Sequence, residues 1–220
     1  MHQAGPLAYF GGTFDPIHYG HLRTAHELLE ILQVQRIEFL PSGQPPHRQR
    51  IYATAQARLH MVRAAIAEES RFAVDERECR RLTPSYTVDT LTELRQEWPQ
   101  RSICLLIGMD AFLSLPQWHR YAELLQLAHI VVAHRPGWQA PQDGLLGQWV
   151  SAYATGKVRD LHEKIAGHIY IHEVTQLEIS SSAVRELIAA GRDPKYLVPP
   201  AVRDFVLKNR CYFDKETPQG

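Results

Sequence analysis

Several features are missing from this 220-residue chain, and each absence removes a class of explanation. Cysteine occurs three times, at Cys79, Cys104 and Cys211, widely spaced and without a C-x-x-C pair. Such an odd, scattered set builds neither a disulfide framework nor a zinc knuckle, and it fits a reducing compartment. Net charge is also lacking, because 24 Lys plus Arg balance 24 Asp plus Glu. That argues against a general electrostatic binder of nucleic acid or of an anionic membrane, whereas a phosphorylated small molecule needs only local positive potential. No apolar run reaches 18 residues and the N-terminus has no secretory apolar core, so the expectation is a soluble, cytoplasmic protein. Internal repeats and low-complexity tracts are absent, and no Gly-Lys-Ser/Thr of a P-loop occurs.

What is present alternates between two periods. Short apolar runs at Leu7–Phe10, Arg36–Leu40, Phe72–Val74, Ser102–Ile107, His129–His134 and Ile169–Val174 read as strands. Between them lie helical patterns. Leu22, Ala25, Leu28, Leu29 and Leu32 form one stripe; Ala57, Met61, Ala64 and Ala65 form a second; Val88, Leu91 and Leu94 form a third. Residues 138–167 show no clean period and are expected to be loops and weak helix. Alternating strand–helix pairs predict an α/β fold with a doubly wound parallel sheet. The expectation is a single domain over residues 1–220, with a small C-terminal helical part at about 180–212. Such sheets bind ligands at the carboxyl ends of their strands. The turn punctuation falls at those ends: Gly11-Gly12, Pro41 to Arg48, Gly108 to Asp110, and Arg135-Pro136-Gly137.

The most informative stretch is Gly11-Gly12-Thr13-Phe14-Asp15-Pro16-Ile17-His18-Tyr19-Gly20-His21-Leu22. Glycines after a strand let a ligand approach the backbone. A helix start offers N–H groups and positive potential to phosphate. His18 and His21, three residues apart, share a face there and can donate hydrogen bonds to phosphate oxygens. Other readings of the same residues stay open at this point: plain turn chemistry, histidines serving as helix-cap partners, or a metal pair. The metal reading lacks a third carboxylate or thiolate at ligand spacing nearby, and no residue is assigned as a metal ligand.

This stretch resembles the H-x-G-H signature of the nucleotidyltransferase superfamily that lacks a P-loop. Ile179-Ser180-Ser181-Ser182-Ala183-Val184-Arg185 is similar to that superfamily's second signature, a serine-rich helix start followed by an arginine. Further segments, Pro41-Ser42-Gly43-Gln44-Pro45-Pro46-His47-Arg48, Ser85-Tyr86-Thr87, Gly108-Met109-Asp110 with Trp118, and Arg135-Pro136-Gly137, resemble the bacterial nicotinate-nucleotide adenylyltransferases. The likeness runs from about Leu7 to Tyr212. It departs at Arg48, often lysine in that family.

The resemblance implies a Rossmann-like nucleotidyltransferase fold and a reaction in NAD biosynthesis: ATP plus nicotinate mononucleotide gives deamido-NAD and pyrophosphate, with Mg²⁺ carried on ATP. It implies His18, His21 and Arg185 as the catalytic set. Gly11, Gly12, Thr13, Phe14, Gly108, Asp110, Arg135, Ser181 and Ser182 would complete the ATP site. His47, Arg48, Thr87, Trp118 and His119 would hold the mononucleotide. Trp118 would stack on the pyridine ring, and backbone N–H groups near Thr87 and His119 would receive its carboxylate. Thr87 is also a candidate helix N-cap. No nucleic-acid or membrane partner is implied, and a homo-oligomer is compatible with the sequence. Alternatives are an enzyme acting on nicotinamide mononucleotide or phosphopantetheine, a non-catalytic nucleotide-binding module, and a metal-dependent hydrolase built on the histidine pair.

Overall fold

The computed structural model describes residues 5–46, 50–175 and 177–213. His47 and Arg48, two of the expected mononucleotide contacts, lie outside the described residues.

The chain alternates as its pattern demands. Strand β1 (Leu7–Gly12) leads to helix α1 (Tyr19–Ile31), β2 (Ile37–Pro41), α2 (Ala55–Ile66) and β3 (Phe72–Val74). After the single turn α3 (Arg77–Arg80), helix α4 (Thr87–Glu97) brings the chain back to β4 (Ile103–Gly108). Short helices α5 (Met109–Ser114) and α6 (Leu124–Leu127), with 3₁₀ turns at Leu115–Gln117 and Tyr121–Glu123, precede β5 (His129–His134). Helices α7 (Gly144–Tyr153) and α8 (Val158–Glu163) lead to β6 (Ile169–Glu173), and α9 (Ser181–Ala189) and α10 (Pro200–Lys208) follow.

The six strands are all parallel, in the order β3-β2-β1-β4-β5-β6. This is the doubly wound arrangement expected. The sheet grows outward from β1 to β3, and then the chain returns to lay β4 on the other side of β1. Ladder pairing between β1 and β4 stops at Phe10↔Leu106, while β1 stays paired with β2 through Gly12↔Pro41. Past that last pair, the ends of β1 and β4 bound a crevice. It is the switch point at which open α/β sheets take ligands.

Period-two alternation builds a core on each face. Ala8, Phe10, Cys104, Leu106, Val131 and Ala133 face one cluster, which α1, α2, α9 and α10 cover. Tyr9, Ile103, Leu105, Ile107, Ile130 and Val132 face the other, beneath α4, α5 and α6. Both faces of the central strands are therefore dry, which accounts for their unbroken apolar runs.

Two expectations need correction. Residues 138–167 carry two regular helices: α7 buries Leu146 in one core and α8 buries Leu161 in the other. The buried face of α2 is Arg58, Leu59, Met61, Val62 and Ile66, and the alanines lie beside it, half-buried. The stripe is rotated because Arg58, fully buried, turns inward. No helix among the described residues is long and apolar enough to cross a membrane.

The loop after β2 packs tightly at Gly43, where an added Cβ would lie 2.0 Å from the Glu78 carbonyl oxygen. Gly43→Ala is therefore expected to lower the unfolding free energy by roughly 1–3 kcal/mol. Urea unfolding should show a lower midpoint at unchanged slope.

Candidate active site

Two cavities open along the crevice. The larger, about 700 Å³, is lined by His18, His21, Arg135, Ser181, Ser182 and Arg185 among others. The smaller, about 410 Å³, is lined by Ser42, Pro46, Ser85, Thr87, Trp118 and His119 among others. They share one wall: Gly11, Gly12 and Thr13 from the end of β1, and Asp110 with Ala111 from the start of α5.

The larger cavity is built from two helix starts. His18 is the N-cap of α1, and its backbone N–H donates to His21 Nδ1 at 3.3 Å. The two imidazoles stack with centroids 3.8 Å apart and planes 28° from parallel. This pairing demands Gly20, because a Cβ there would stand 2.9 Å from His18 Nδ1. Phe14 lines the cavity, yet its ring is buried. It meets His21 edge-on at 5.1 Å and so backs the imidazole. His18 is 5% exposed, and its Nδ1 is buried without a hydrogen-bond partner. Burial pushes its pKa down to about 4. The ring is accordingly neutral at pH 7 in the free protein, and a nearby anion would favour its charged form.

The start of α9 faces this pair. Ser180 is the N-cap, its hydroxyl accepting from the Ala183 N–H at 3.1 Å. Ser181 Oγ donates to the Pro16 carbonyl at 2.9 Å, tying the second signature to the first. Arg185 donates to the Asp15 carbonyl at 2.6 Å and to Ser182 Oγ at 3.0 Å, and lies 4.4 Å from the Tyr52 ring centroid. A guanidinium has five donors, so the two bonds fix its plane and leave it capacity for a ligand oxygen. Two helix N-termini and these side chains therefore set a field suited to a polyanion. Gly108 and Arg135, at the ends of β4 and β5, complete the rim.

The smaller cavity lies against the start of α4. Thr87 is the first helical residue, and Tyr86 occupies the N-cap position without a side-chain cap bond. The cap role open to Thr87 in the sequence is thus not the one it fills. Trp118 Nε1 donates to Ser114 Oγ at 3.1 Å, which orients the indole, and the His119 ring lies 4.4 Å from that of Tyr86.

Several structural residues escaped the sequence reading. Asp15 is buried; its carboxylate accepts from the Tyr52 N–H at 2.9 Å, the Ala53 N–H at 3.1 Å and the Tyr212 hydroxyl at 2.8 Å. Arg58 donates to the carbonyls of Thr13, Ser42 and Gly43 at 2.7, 2.5 and 2.8 Å. Trp138 joins the larger cavity, and Glu78 the smaller. The tryptophan beside Arg135-Pro136-Gly137 was a usable signal for the first; nothing in a charged segment singled out Glu78.

A pH dependence follows. His129 is also fully buried and held neutral, pushed down to about 4 mainly by burial. Its Nδ1 accepts the His168 N–H at 3.0 Å, a bond that protonation would break. For both histidines the folded pKa lies below the unfolded value, so the fold favours the neutral form. Their stabilisation is present above pH 6.5 and lost as pH falls towards 4. Each contributes on the order of 2–3 kcal/mol. Urea midpoints should drop across that window, and His18→Ala should flatten the slope.

The chain resembles known proteins in sequence and in fold. Residues 9–187 match the Cytidylyltransferase-like family. A protein of Aeromonas salmonicida named probable nicotinate-nucleotide adenylyltransferase is 44% identical over 207 residues, covering 94% of this chain and 97% of that protein. One of the same name from Hahella chejuensis is 43% identical, covering 96% and 98%. The solved Plasmodium falciparum nicotinic acid mononucleotide adenylyltransferase complexed with NaAD superposes with a TM-score of 0.72 at 18% identity, covering 96% of this chain and all of that one. That likeness is one of fold. Taken with the two signatures converging on one crevice, these matches establish that the chain belongs to the Cytidylyltransferase-like family, among its nicotinate-nucleotide adenylyltransferases.

Proposed function

We propose that the chain transfers the adenylyl group of ATP to nicotinate mononucleotide, forming deamido-NAD and releasing pyrophosphate. The observation that carries this reading is the pair of cavities meeting at Gly11–Thr13 and Asp110–Ala111, with the histidine pair on one side only. A transfer between two nucleotides needs two neighbouring seats and one place where their phosphates meet. Cavities of these sizes suit nucleotide-sized ligands.

The roles follow from the chemistry on each side. The triphosphate lies between the starts of α1 and α9, with His18 and His21 at the α- and β-phosphates and Ser181, Ser182 and Arg185 at the β- and γ-phosphates. The acceptor's pyridine stacks on Trp118, and its carboxylate lies at the start of α4 beside Thr87 and His119. Unsatisfied N–H groups at a helix start favour an anion over a neutral amide, which supports the acid as acceptor. Asp110, on the shared wall, takes a ribose hydroxyl on this reading. Gly108 and Arg135 border the adenosine side.

The nucleophile is a phosphate oxygen, already ionised at neutral pH, so no strong base is required. Catalysis is positioning plus neutralisation of charge as pyrophosphate leaves. Among the described residues no three His, Cys, Asp or Glu side chains form a metal-holding group. Mg²⁺ would be carried in by the triphosphate and keep most of its waters, with no residue of the chain assigned as its ligand. When bound, the ion would neutralise phosphate charge.

Purified protein with Mg²⁺, ATP and nicotinate mononucleotide should release pyrophosphate and form the dinucleotide. Nicotinamide mononucleotide should be turned over with kcat/KM at least roughly tenfold lower. His18→Ala and His21→Ala should each lower kcat/KM by roughly 10²–10³. Gly20→Ala, which displaces His18, should lower it in the same direction. Absence of dinucleotide from the wild-type protein would refute the reading.

A further inference from the structure

The smaller cavity contains one feature that neither signature accounts for. Glu78, on the single turn α3, is a carboxylate only 4% exposed, in the cavity wall. Thr90 of α4 donates its hydroxyl to Glu78 Oε1 at 2.7 Å, and Arg81 donates to Thr90 Oγ1 at 2.7 Å. On its other side is Ser85. The Ser85 Oγ accepts two backbone N–H bonds, from Gly43 and from Gln44, both at 3.1 Å. A hydroxyl that accepts twice must still place its own proton, and the Glu78 carboxyl, which the Ser85 hydroxyl pulls down, is the acidic group beside it. The Ser85 N–H, in turn, donates to the Gln44 carbonyl at 2.9 Å.

These bonds run through both walls of the acceptor cavity. Ser42, Pro45 and Pro46 belong to the loop after β2; Ser85, Tyr86 and Thr87 belong to the entry into α4. They are joined through Ser85, while Glu78 is tied to α4 by Thr90 and packs its carbonyl against Gly43 beside that junction. The buried backbone adds a constraint, since at Gly43 there is no room for even a methyl group against the Glu78 carbonyl. Burial pushes the Glu78 carboxyl up, while the Thr90 hydroxyl, the Arg81 guanidinium and the Ser85 hydroxyl pull it back down. A buried carboxylate with no place in the transfer chemistry persists where it fixes a geometry.

We propose that Glu78 is a positioning residue for the acceptor, holding the loop after β2 and the start of α4 at the separation the mononucleotide requires. It acts through Ser85 and does not touch the reacting phosphates. Neither residue lines the larger cavity, so the link bears most directly on the acceptor side. The inference rests on the functional reading above.

Glutamine is close to isosteric with glutamate, yet it keeps one acceptor oxygen and replaces the other by an NH₂ donor that would face a hydroxyl. Glu78→Gln thus breaks the link without opening a cavity. Steady-state kinetics of the full chain would be measured with each substrate varied in turn. Glu78→Gln should raise KM for nicotinate mononucleotide roughly tenfold and leave KM for ATP within about twofold. Glu78→Asp, which keeps both acceptors on a shorter stem, should recover part of the loss. Ser85→Ala should reproduce the glutamine phenotype, and the double variant should be no worse than about twofold beyond the larger single effect. An unchanged acceptor KM in Glu78→Gln, an equal rise for both substrates, or single effects that multiply would overturn the proposal. If Glu78→Gln does not fold, Ser85→Ala alone decides: wild-type acceptor KM overturns it, and a selective rise supports it. A wild-type protein that makes no dinucleotide would instead strike the functional reading itself.

Discussion

A single buried guanidinium holds the crevice together. Arg58 is fully buried on α2, and its donors reach the carbonyls of Thr13, Ser42, Gly43 and Ala53. Thr13 follows β1, Ser42 and Gly43 follow β2, and Ala53 precedes α2. One side chain therefore joins the two loops that carry the shared wall and one flank of the acceptor cavity. Burying an arginine is costly unless its donors are matched, and carbonyl oxygens in three segments match them here. Because the charge is satisfied only when all three segments are in place, the loops are fixed relative to one another before any ligand arrives.

Asp15 extends this frame to the opposite side. Its carboxylate takes bonds from Tyr52, Ala53 and Tyr212, and its carbonyl takes one from Arg185. Residues from the first loop, the start of α2, α9 and the segment after α10 thus meet at one position of the first signature. The groups proposed to bind phosphate are side chains at helix starts, and the polar scaffold beneath them is hydrogen-bonded. Preorganisation of this kind is what an electrostatic mechanism requires, since donors already in place need not reorganise as charge develops.

Much of this could be read from residues alone. Strand–helix alternation gave the doubly wound sheet because each buried strand is a continuous apolar run and each helix carries a stripe. His18, His21, Ser181, Ser182 and Arg185 converge because both signatures sit at helix starts that face the same strand ends. The scaffold was less legible for a physical reason. A buried Arg58 contradicts the rule that apolar stripes mark the inner face, so the stripe on α2 was placed one step round. Thr87 is a good N-cap residue by type, but Ser85 is drawn into the loop network and the helix begins beneath Tyr86. Helices α7 and α8 each bury little beyond Leu146 or Leu161, too few positions to print a period on residues 138–167.

The proposed transfer makes one demand on the chemistry: the acceptor attacks the α-phosphate from the smaller cavity while pyrophosphate departs into the larger one, without passing through an enzyme-bound adenylyl group. The direct test is the stereochemical course at the α-phosphorus, using ATP that carries a single sulfur-substituted configuration there. One in-line displacement across the Gly11–Thr13 wall inverts that configuration. Retention would mean two displacements through a covalent intermediate, for instance on an imidazole of the stacked pair, and would contradict a site that works by positioning and charge alone.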